Sequence, residues 1–393
     1  MTISDPDASA AGIGVHSAFT DYVKTLPRHY SLPTFFTDDE YEALEGTSLH
    51  DAVAQKRTSL QQEFEDLKLK TESIEWCRNI WWSERGGMLT LKDWTMVDAM
   101  YRSRALDLPQ NIGAAMVPLI DMANHMPDDL CNARFEVESG QRVQLLTKEG
   151  RQIRAGDEIT INYGPGGACE SIFSYGFLEE QARSARELFL SLTIPTDDPL
   201  RVAKVHCSQA APGVRIYTDE RGDARFESEM ALWASINEED GLAFELSQTT
   251  DGGTELQAVW NSAPFAAETV HTVVDADPRA HVFALRAAVM VQERVERQGE
   301  LLSMTQDGFD QTSRRVPDDR KYIYDTIRRL RELELQLLME SYGALETEVG
   351  QDSHRTGNTF FCADCCPETT PARFAGGNEL PGRWPSRHER EGG

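Results

Sequence analysis

The sequence predicts an α+β fold in which a core of small strands lies between two helix-rich stretches. Three patterns carry that prediction: helical spacing of apolar residues through the first hundred positions, short period-two runs joined by tight turns between residues 116 and 161, and a return of helical spacing beyond about Leu188. Taken in order, residues 1–19 show neither period and are read as a flexible N-terminus. Thr37-Asp38-Asp39-Glu40 reads as a helix start, with a capping threonine and acids in the first turn where the backbone N–H groups are free. Leu49, Val53, Leu60, Phe64 and Leu67 recur at helical spacing and predict an amphipathic helix from Leu49 to Lys70. A second helix is predicted from Thr90 to Leu106, opened by the capping signal Thr90-Leu91-Lys92-Asp93 and carrying Trp94, Val97, Met100 and Tyr101.

The period then changes. Met116-Val117-Pro118-Leu119-Ile120 reads as a short apolar strand, Ala133–Val137 and Val143–Leu146 as a hairpin around Ser139-Gly140, and Ile159-Thr160-Ile161 as a further strand. Ala155-Gly156-Asp157-Glu158 marks a turn, and Gly164-Pro165-Gly166-Gly167 a loop that no regular element crosses. Beyond Leu188 the chain is read as a separate, mainly helical domain with less regular stretches at 210–226 and 248–280. Its clearest helices are His281–Glu296 and Lys321–Tyr342, the latter with Ile323, Ile327, Leu330, Leu333 and Leu337 on one stripe. That stripe lasts about three heptads, which favours core packing over a dimer seam. After Val349 the composition shifts to Gly, Pro, Arg, Ser and Thr and predicts a disordered tail over 349–393.

At 393 residues and 40% hydrophobic content, the chain can give two domains their own cores. No apolar run is long enough to span a bilayer, and the N-terminus lacks the basic start and apolar centre of a signal peptide, so an intracellular protein is expected, cytoplasmic or nuclear. Seven scattered cysteines fit reduced thiols better than a disulfide framework. A net charge of −26 repels phosphate backbones, disfavouring direct nucleic-acid binding and favouring a basic protein partner.

The densest chemistry lies between Met116 and Phe177, where Asp121-Met122-Ala123-Asn124-His125 follows an apolar run and two tyrosines, Tyr163 and Tyr175, each lead into glycine. The Asn124 amide both donates and accepts, as the edge of an adenine requires, and His125 can add backbone or ring contacts. Tyrosines suit a channel for an amine: their rings exclude water, their hydroxyls orient the nitrogen and their faces favour a sulfonium or methylated ammonium. Such a channel answers a specific cost, because a lysine amine with pKa near 10.4 is neutral at pH 7 only at about 4.6 kcal/mol.

On these residues, positions 20 to about 345 resemble the SET-domain lysine methyltransferases of the Rubisco large-subunit methyltransferase type. Leu26-Pro27, the acidic Phe35–Leu44 stretch and Leu44-Glu45-Gly46-Thr47 resemble that class's helical insert, Ser103-Arg104 its Ser-Arg pair, Met116–His125 its signature strand with Asn-His motif, and Ile161-Asn162-Tyr163-Gly164 the segment ending in its catalytic tyrosine. The resemblance implies 20–106 as the insert, 107–187 as the C-terminal part of the SET core and 188–348 as a helical substrate-binding domain. It implies S-adenosylmethionine (AdoMet) as cofactor, held by Arg104, Asn124, His125 and Phe177. Tyr163 and Tyr175 would be catalytic, with Asp121, Arg104 and Tyr175 on the substrate side. The implied activity is methylation of a lysine on a non-histone protein, ribosomal or otherwise cytosolic.

The chain departs from the pattern in three places. The Gly-x-Gly segment expected well upstream of the insert has no counterpart except Gly12-Ile13-Gly14, too close to Tyr22 for the intervening strands; Ala168 stands where the class has an asparagine; and the Tyr163–Tyr175 loop is about one residue short. These departures leave open an alternative, an inactive SET remnant that serves as a protein-binding module. Cys362, Cys365 and Cys366 with His354 resemble half a zinc site, and no metal is predicted. The 164–167 loop lacks the Lys-Ser or Lys-Thr of a phosphate-binding loop.

Overall fold

A computed structural model describes residues 18–84, 88–108, 113–138, 142–208, 211–248 and 254–352. The expected flexible N-terminus up to residue 17, Gly12-Ile13-Gly14, the Ser139-Gly140 turn, the Cys362–Cys366 cluster with His354, and the tail from 353 lie outside the described residues. The chain forms two units, residues 1–41 with 49–179, and residues 42–48 with 180–393.

The first unit begins helical, as its spacing dictates. Short α1 (Thr20–Thr25) and α2 (Asp38–Glu42) precede the long α3 (Ser48–Thr71), then come α4 (Glu75–Ile80) and α5 (Leu91–Arg102). Both sequence-read caps form. Thr37 N–H donates to Glu40 Oε2 at 3.0 Å, and Thr90 and Asp93 make a reciprocal capping box at the start of α5. Arg102 ties α5 to its surroundings: it pairs with Asp98 at 3.1 Å, donates to the Phe173 carbonyl, and lies 4.4 Å from the Phe173 ring centroid.

The strands are short. β1 (Leu106–Leu108) pairs with β2 (Gly113–Ala115), and β4 (Ala133–Glu138) with β5 (Arg142–Thr147) as the predicted hairpin; β3 (Asn124–His125) pairs in parallel with β6 (Thr160–Ile161). They enclose a small core of Leu106, Leu108, Ile120, Ala123, Ala133 and Ile161. The predicted strand at Met116–Ile120 does not form. Pro118 brings no N–H to a ladder, Leu119 adopts φ 75°, and a 3₁₀ turn over Ile120–Met122 follows, so only Asn124 and His125 are left to pair. A π-helical turn over Ser171–Tyr175 continues the short helix α6 (Ala168–Glu170) and stops at Gly176 with φ 79°.

The second unit keeps the mainly helical character read from the sequence, with strands that the reading did not mark in the stretch after residue 187. Two antiparallel three-stranded sheets form, β7 (Glu187–Ser191), β8 (Gly213–Thr218) and β9 (Ala224–Glu227), then β10 (Leu242–Gln248), β11 (Thr254–Trp260) and β12 (Ala263–Phe265). Helices α7 (Arg201–Cys207), α8 (Glu229–Ser235) and α9 (Val270–Asp275) intervene. These strands are short and their alternation is diluted by exposed apolar residues such as Phe189 and Leu246, so period two is faint in the sequence. Beyond them the helical reading holds: α10 (Ala280–Met304), α11 (Gln306–Ser313) and α12 (Lys321–Asp352), with the Ile323, Ile327, Leu330, Leu333, Leu337 stripe fully buried within the chain.

Residues 42–48, read from sequence as part of the insert, belong to this second unit. Gln298 Nε2 donates to the Gly46 carbonyl at 2.5 Å, Arg331 donates to the Glu45 carbonyl at 2.6 Å, and the fully buried Glu334 accepts from Ser48 N–H at 2.9 Å and Ser48 O–H at 2.5 Å. Gly46 (φ 88°) is required here, since a Cβ would lie 2.9 Å from Leu302 Cα. Among the described residues no helix is long and apolar enough to cross a membrane.

Candidate active site

The site is built on β3, β6 and the π-helical turn of the first unit. The β3–β6 ladder is only two residues long, and the Asn132 side chain supplements it: Oδ1 accepts from Thr160 N–H at 2.9 Å and Nδ2 donates to the Glu158 carbonyl at 2.8 Å. Tyr163 lies two residues beyond the end of β6. Its N–H donates to His125 Nδ1 at 3.2 Å and its hydroxyl donates to the Ala123 carbonyl at 2.8 Å, so the side chain is held at both ends against the strand opposite. The Gly176 reversal, in a backbone region that disfavours side chains, brings Tyr175 and Phe177 together, ring centroids 6.2 Å apart.

These rings meet in one place. Tyr163 and Tyr175 lie 4.6 Å apart, His125 and Tyr163 5.1 Å, and His125 and Phe177 5.7 Å. With Gly164, Gly166, Ser171, Glu170 and Glu179 they line one recess. Burial raises both phenols above the usual tyrosine pKa. The Arg104 charge opposes this at Tyr163, and the Glu170 carboxylate adds to it at Tyr175. Both hydroxyls therefore stay protonated at neutral pH. Among the described residues, two carboxylates, four aromatic rings and no lysine or arginine line the recess, a wall that favours a cationic guest.

Of the seven residues chosen from the sequence, His125, Tyr163, Tyr175 and Phe177 line this recess, and three do not. Asn124 is exposed, its amide donating to Glu158 Oε1 at 2.5 Å, because alternation along β3 turns it away from the face His125 occupies. The side chain expected to read an adenine is thus engaged at the surface. Both ring nitrogens of His125 are also taken, Nδ1 by Tyr163 N–H and Nε2 by Glu179 at 2.8 Å. Arg104 and Asp121 lie behind Tyr163: Arg104 donates to the Asp121 carbonyl at 3.0 Å, and the Asp121 carboxylate accepts from the Tyr22 hydroxyl. Asp121 is buried, and among the described residues its second carboxylate oxygen has no hydrogen-bond partner. Burial, then this contact, raises the Tyr22 phenol above its usual range.

Sequence reasoning missed Tyr22, Glu179 and the lining role of Glu170. Tyr22 sits in an unremarkable helical hexamer, and Glu179-Glu180 reads as solvated charge. Ala168, the departure from the expected asparagine, is buried. Among the described residues no three His, Cys, Asp or Glu side chains gather as metal ligands.

Comparison with known proteins decides the fold. The chain superposes on Rubisco LSMT bound to AdoMet with a TM-score of 0.56 at 16% identity, over 86% of this chain and 72% of that one. The chain has a SET-domain fold of the Rubisco LSMT class. Curated relatives agree: it is 26% identical to SET domain-containing protein 8 of Schizosaccharomyces pombe over 69% of its own length and 60% of that protein's. It is 25% identical to the ribosomal lysine N-methyltransferase set10 of the same yeast, over 42% of this chain and 28% of the relative. The chain thus spans less than two thirds of either relative. No family model matches it. Within this SET fold, the recess lies where the Asn-His motif, the tyrosine after β6 and the Tyr-Gly-Phe turn converge.

Proposed function

We propose that the protein is an AdoMet-dependent protein-lysine N-methyltransferase acting on a non-histone, basic protein. The observation that carries this reading is the convergence of Tyr163, Tyr175, His125 and Phe177 around one recess walled by carboxylates, in the fold shared with Rubisco LSMT bound to AdoMet. The donor set fits AdoMet: ring faces and the Glu170 carboxylate favour a sulfonium, and Phe177 offers a face for an adenine. When bound, the cofactor supplies an electrophilic methyl whose departure leaves a neutral thioether.

The chain's own residues supply orientation and dryness. Tyr163 donates its hydroxyl hydrogen bond to the Ala123 carbonyl, so the oxygen's lone pairs can accept an N–H from the incoming amine and aim the nitrogen lone pair. The raised phenol pKa makes Tyr163 an orienting group and not a base. The ammonium must lose its proton to solvent before transfer, and its loss of hydration between the buried rings of Tyr163 and Tyr175 favours that step.

Purified protein incubated with methyl-labelled AdoMet and lysate should label a protein band, and Tyr163→Phe should abolish most of the label. No band from the wild type, or an undiminished one from the variant, refutes the assignment. The Asn124 amide bound to Glu158 favours a second reading, an inactive SET module that binds protein only. Calorimetry separates the two: micromolar AdoMet binding supports the enzyme, and none at millimolar concentration supports the module.

A further inference from the structure

We infer that Glu179 is a positioning residue that fixes the tautomer of His125 and, through it, the placement of Tyr163; the catalytic consequence rests on the methyltransferase reading above. A backbone N–H always carries its proton. The backbone N–H of Tyr163 points at His125 Nδ1 across 3.2 Å, so Nδ1 must carry a lone pair. The ring proton then sits on Nε2, which faces Glu179 Oε1 at 2.8 Å, and a carboxylate can only accept there. The His125 ring therefore bridges Glu179 and the backbone of Tyr163.

The bridge is enclosed: His125 is 8% exposed and Glu179 22%, and both line the recess. The other proton arrangement fails on geometry. With the proton on Nδ1, two N–H groups would face each other across the Tyr163 contact, and Nε2 would present a lone pair to a carboxylate. Either the ring or Tyr163 would have to move. Tyr163 has little freedom to do so at no cost, because its hydroxyl is bound to the Ala123 carbonyl at 2.8 Å and its ring packs 4.6 Å from Tyr175. Glu179 thus acts on the reacting geometry without touching it, four residues beyond the turn that supplies Tyr175.

Long-range proton–nitrogen correlation of labelled wild-type protein reads the tautomer directly and needs no variant. The lock requires the His125 signals of an Nε2–H imidazole between pH 7 and 8; an Nδ1–H or doubly protonated ring overturns it. In methyl-transfer assays Glu179→Met, which removes the acceptor, should lower kcat about tenfold with KM little changed, the scale of one misaligned hydrogen bond. Glu179→Gln keeps an acceptor oxygen and should restore most of that loss. In a His125→Asn background, whose amide oxygen can accept from Tyr163 N–H regardless of residue 179, adding Glu179→Met should have no further effect. Full kcat in Glu179→Met, a Gln variant as slow as the Met variant, or simple additivity with His125→Asn would each refute the positioning role. A wild type that binds no AdoMet would remove the methyltransferase reading, while the nitrogen spectrum still judges the lock by itself.

Discussion

Glu334 gives the prediction with the clearest sign. Its carboxylate is fully buried in the second unit, accepts two hydrogen bonds from Ser48, and faces Arg331, which is itself buried and donates to the Glu45 and Leu302 carbonyls. Burial raises the carboxyl pKa from 4.5 to about 7, with Ser48 and Arg331 pulling the other way. Arg331 is lowered to about 10, again by burial, with Glu334, Asp310 and Glu45 opposing, so its own titration lies outside the window. A carboxyl raised on folding binds more protons in the native state than in the unfolded one. Its contribution is complete below pH 4.5 and is lost as pH rises through 7. The shift of roughly 2.5 units corresponds to about 3 kcal/mol, lost at no more than about 1.4 kcal/mol per pH unit. Glu334→Gln removes this titration while keeping one acceptor for Ser48. Denaturant unfolding of both proteins from pH 4.5 to 8.5 cancels every other titration in the difference. The stability difference should drift by about 3 kcal/mol in favour of the variant as pH rises. Parallel profiles would show that Glu334 is ionised in the folded chain across the range, contrary to the argument from burial.

Three further outcomes are expected. Tyr163→Phe should reduce methyl transfer by about 10²-fold, the scale of one preorganised hydroxyl, with AdoMet affinity by calorimetry within about threefold of wild type; equal turnover contradicts the orienting role. Tyr22→Phe leaves the buried Asp121 carboxylate without its tyrosine partner and should cost about 1–3 kcal/mol by thermal unfolding, so an unchanged midpoint refutes the contact. Gly176→Ala forces a side chain onto φ 79° and places a Cβ 3.2 Å from Leu32 Cδ2. It should destabilise by about 1–2 kcal/mol and weaken AdoMet binding by displacing Tyr175 and Phe177, and wild-type affinity would show that the turn does not set the recess.

Local patterns in the sequence determined the elements whose physics is local. The capping pairs at Thr37 and Thr90, the amphipathic run of α3 and the buried stripe of α12 are set by neighbours three or four positions apart, and each is legible there. The hairpin of β4 and β5 was equally plain, because both strands alternate and lie close together in the chain. The candidate site was legible as a set of residue types in order, and four of its seven chosen members do share one recess.

What only the tertiary structure decided involves partners far apart in the chain. The pairing of β3 with β6 joins residues 36 positions apart, and its two-residue length decides that His125 faces the recess while Asn124 faces Glu158. Glu179 looks like one solvated acid among many until it meets His125, 54 positions earlier, and Tyr22 is anonymous until it meets Asp121, 99 positions later. Residues 42–48 read as part of the insert, yet Glu334 and Arg331, 286 positions away from Ser48 and Glu45, bring them into the second unit. The strands of β7 to β12 fall in the same class, since their faces are set by which sheet they join and not by a strong period of their own. Helical spacing and capping are written in adjacent residues, whereas burial of a carboxylate or the direction of a two-residue strand exists only once distant segments exclude water together.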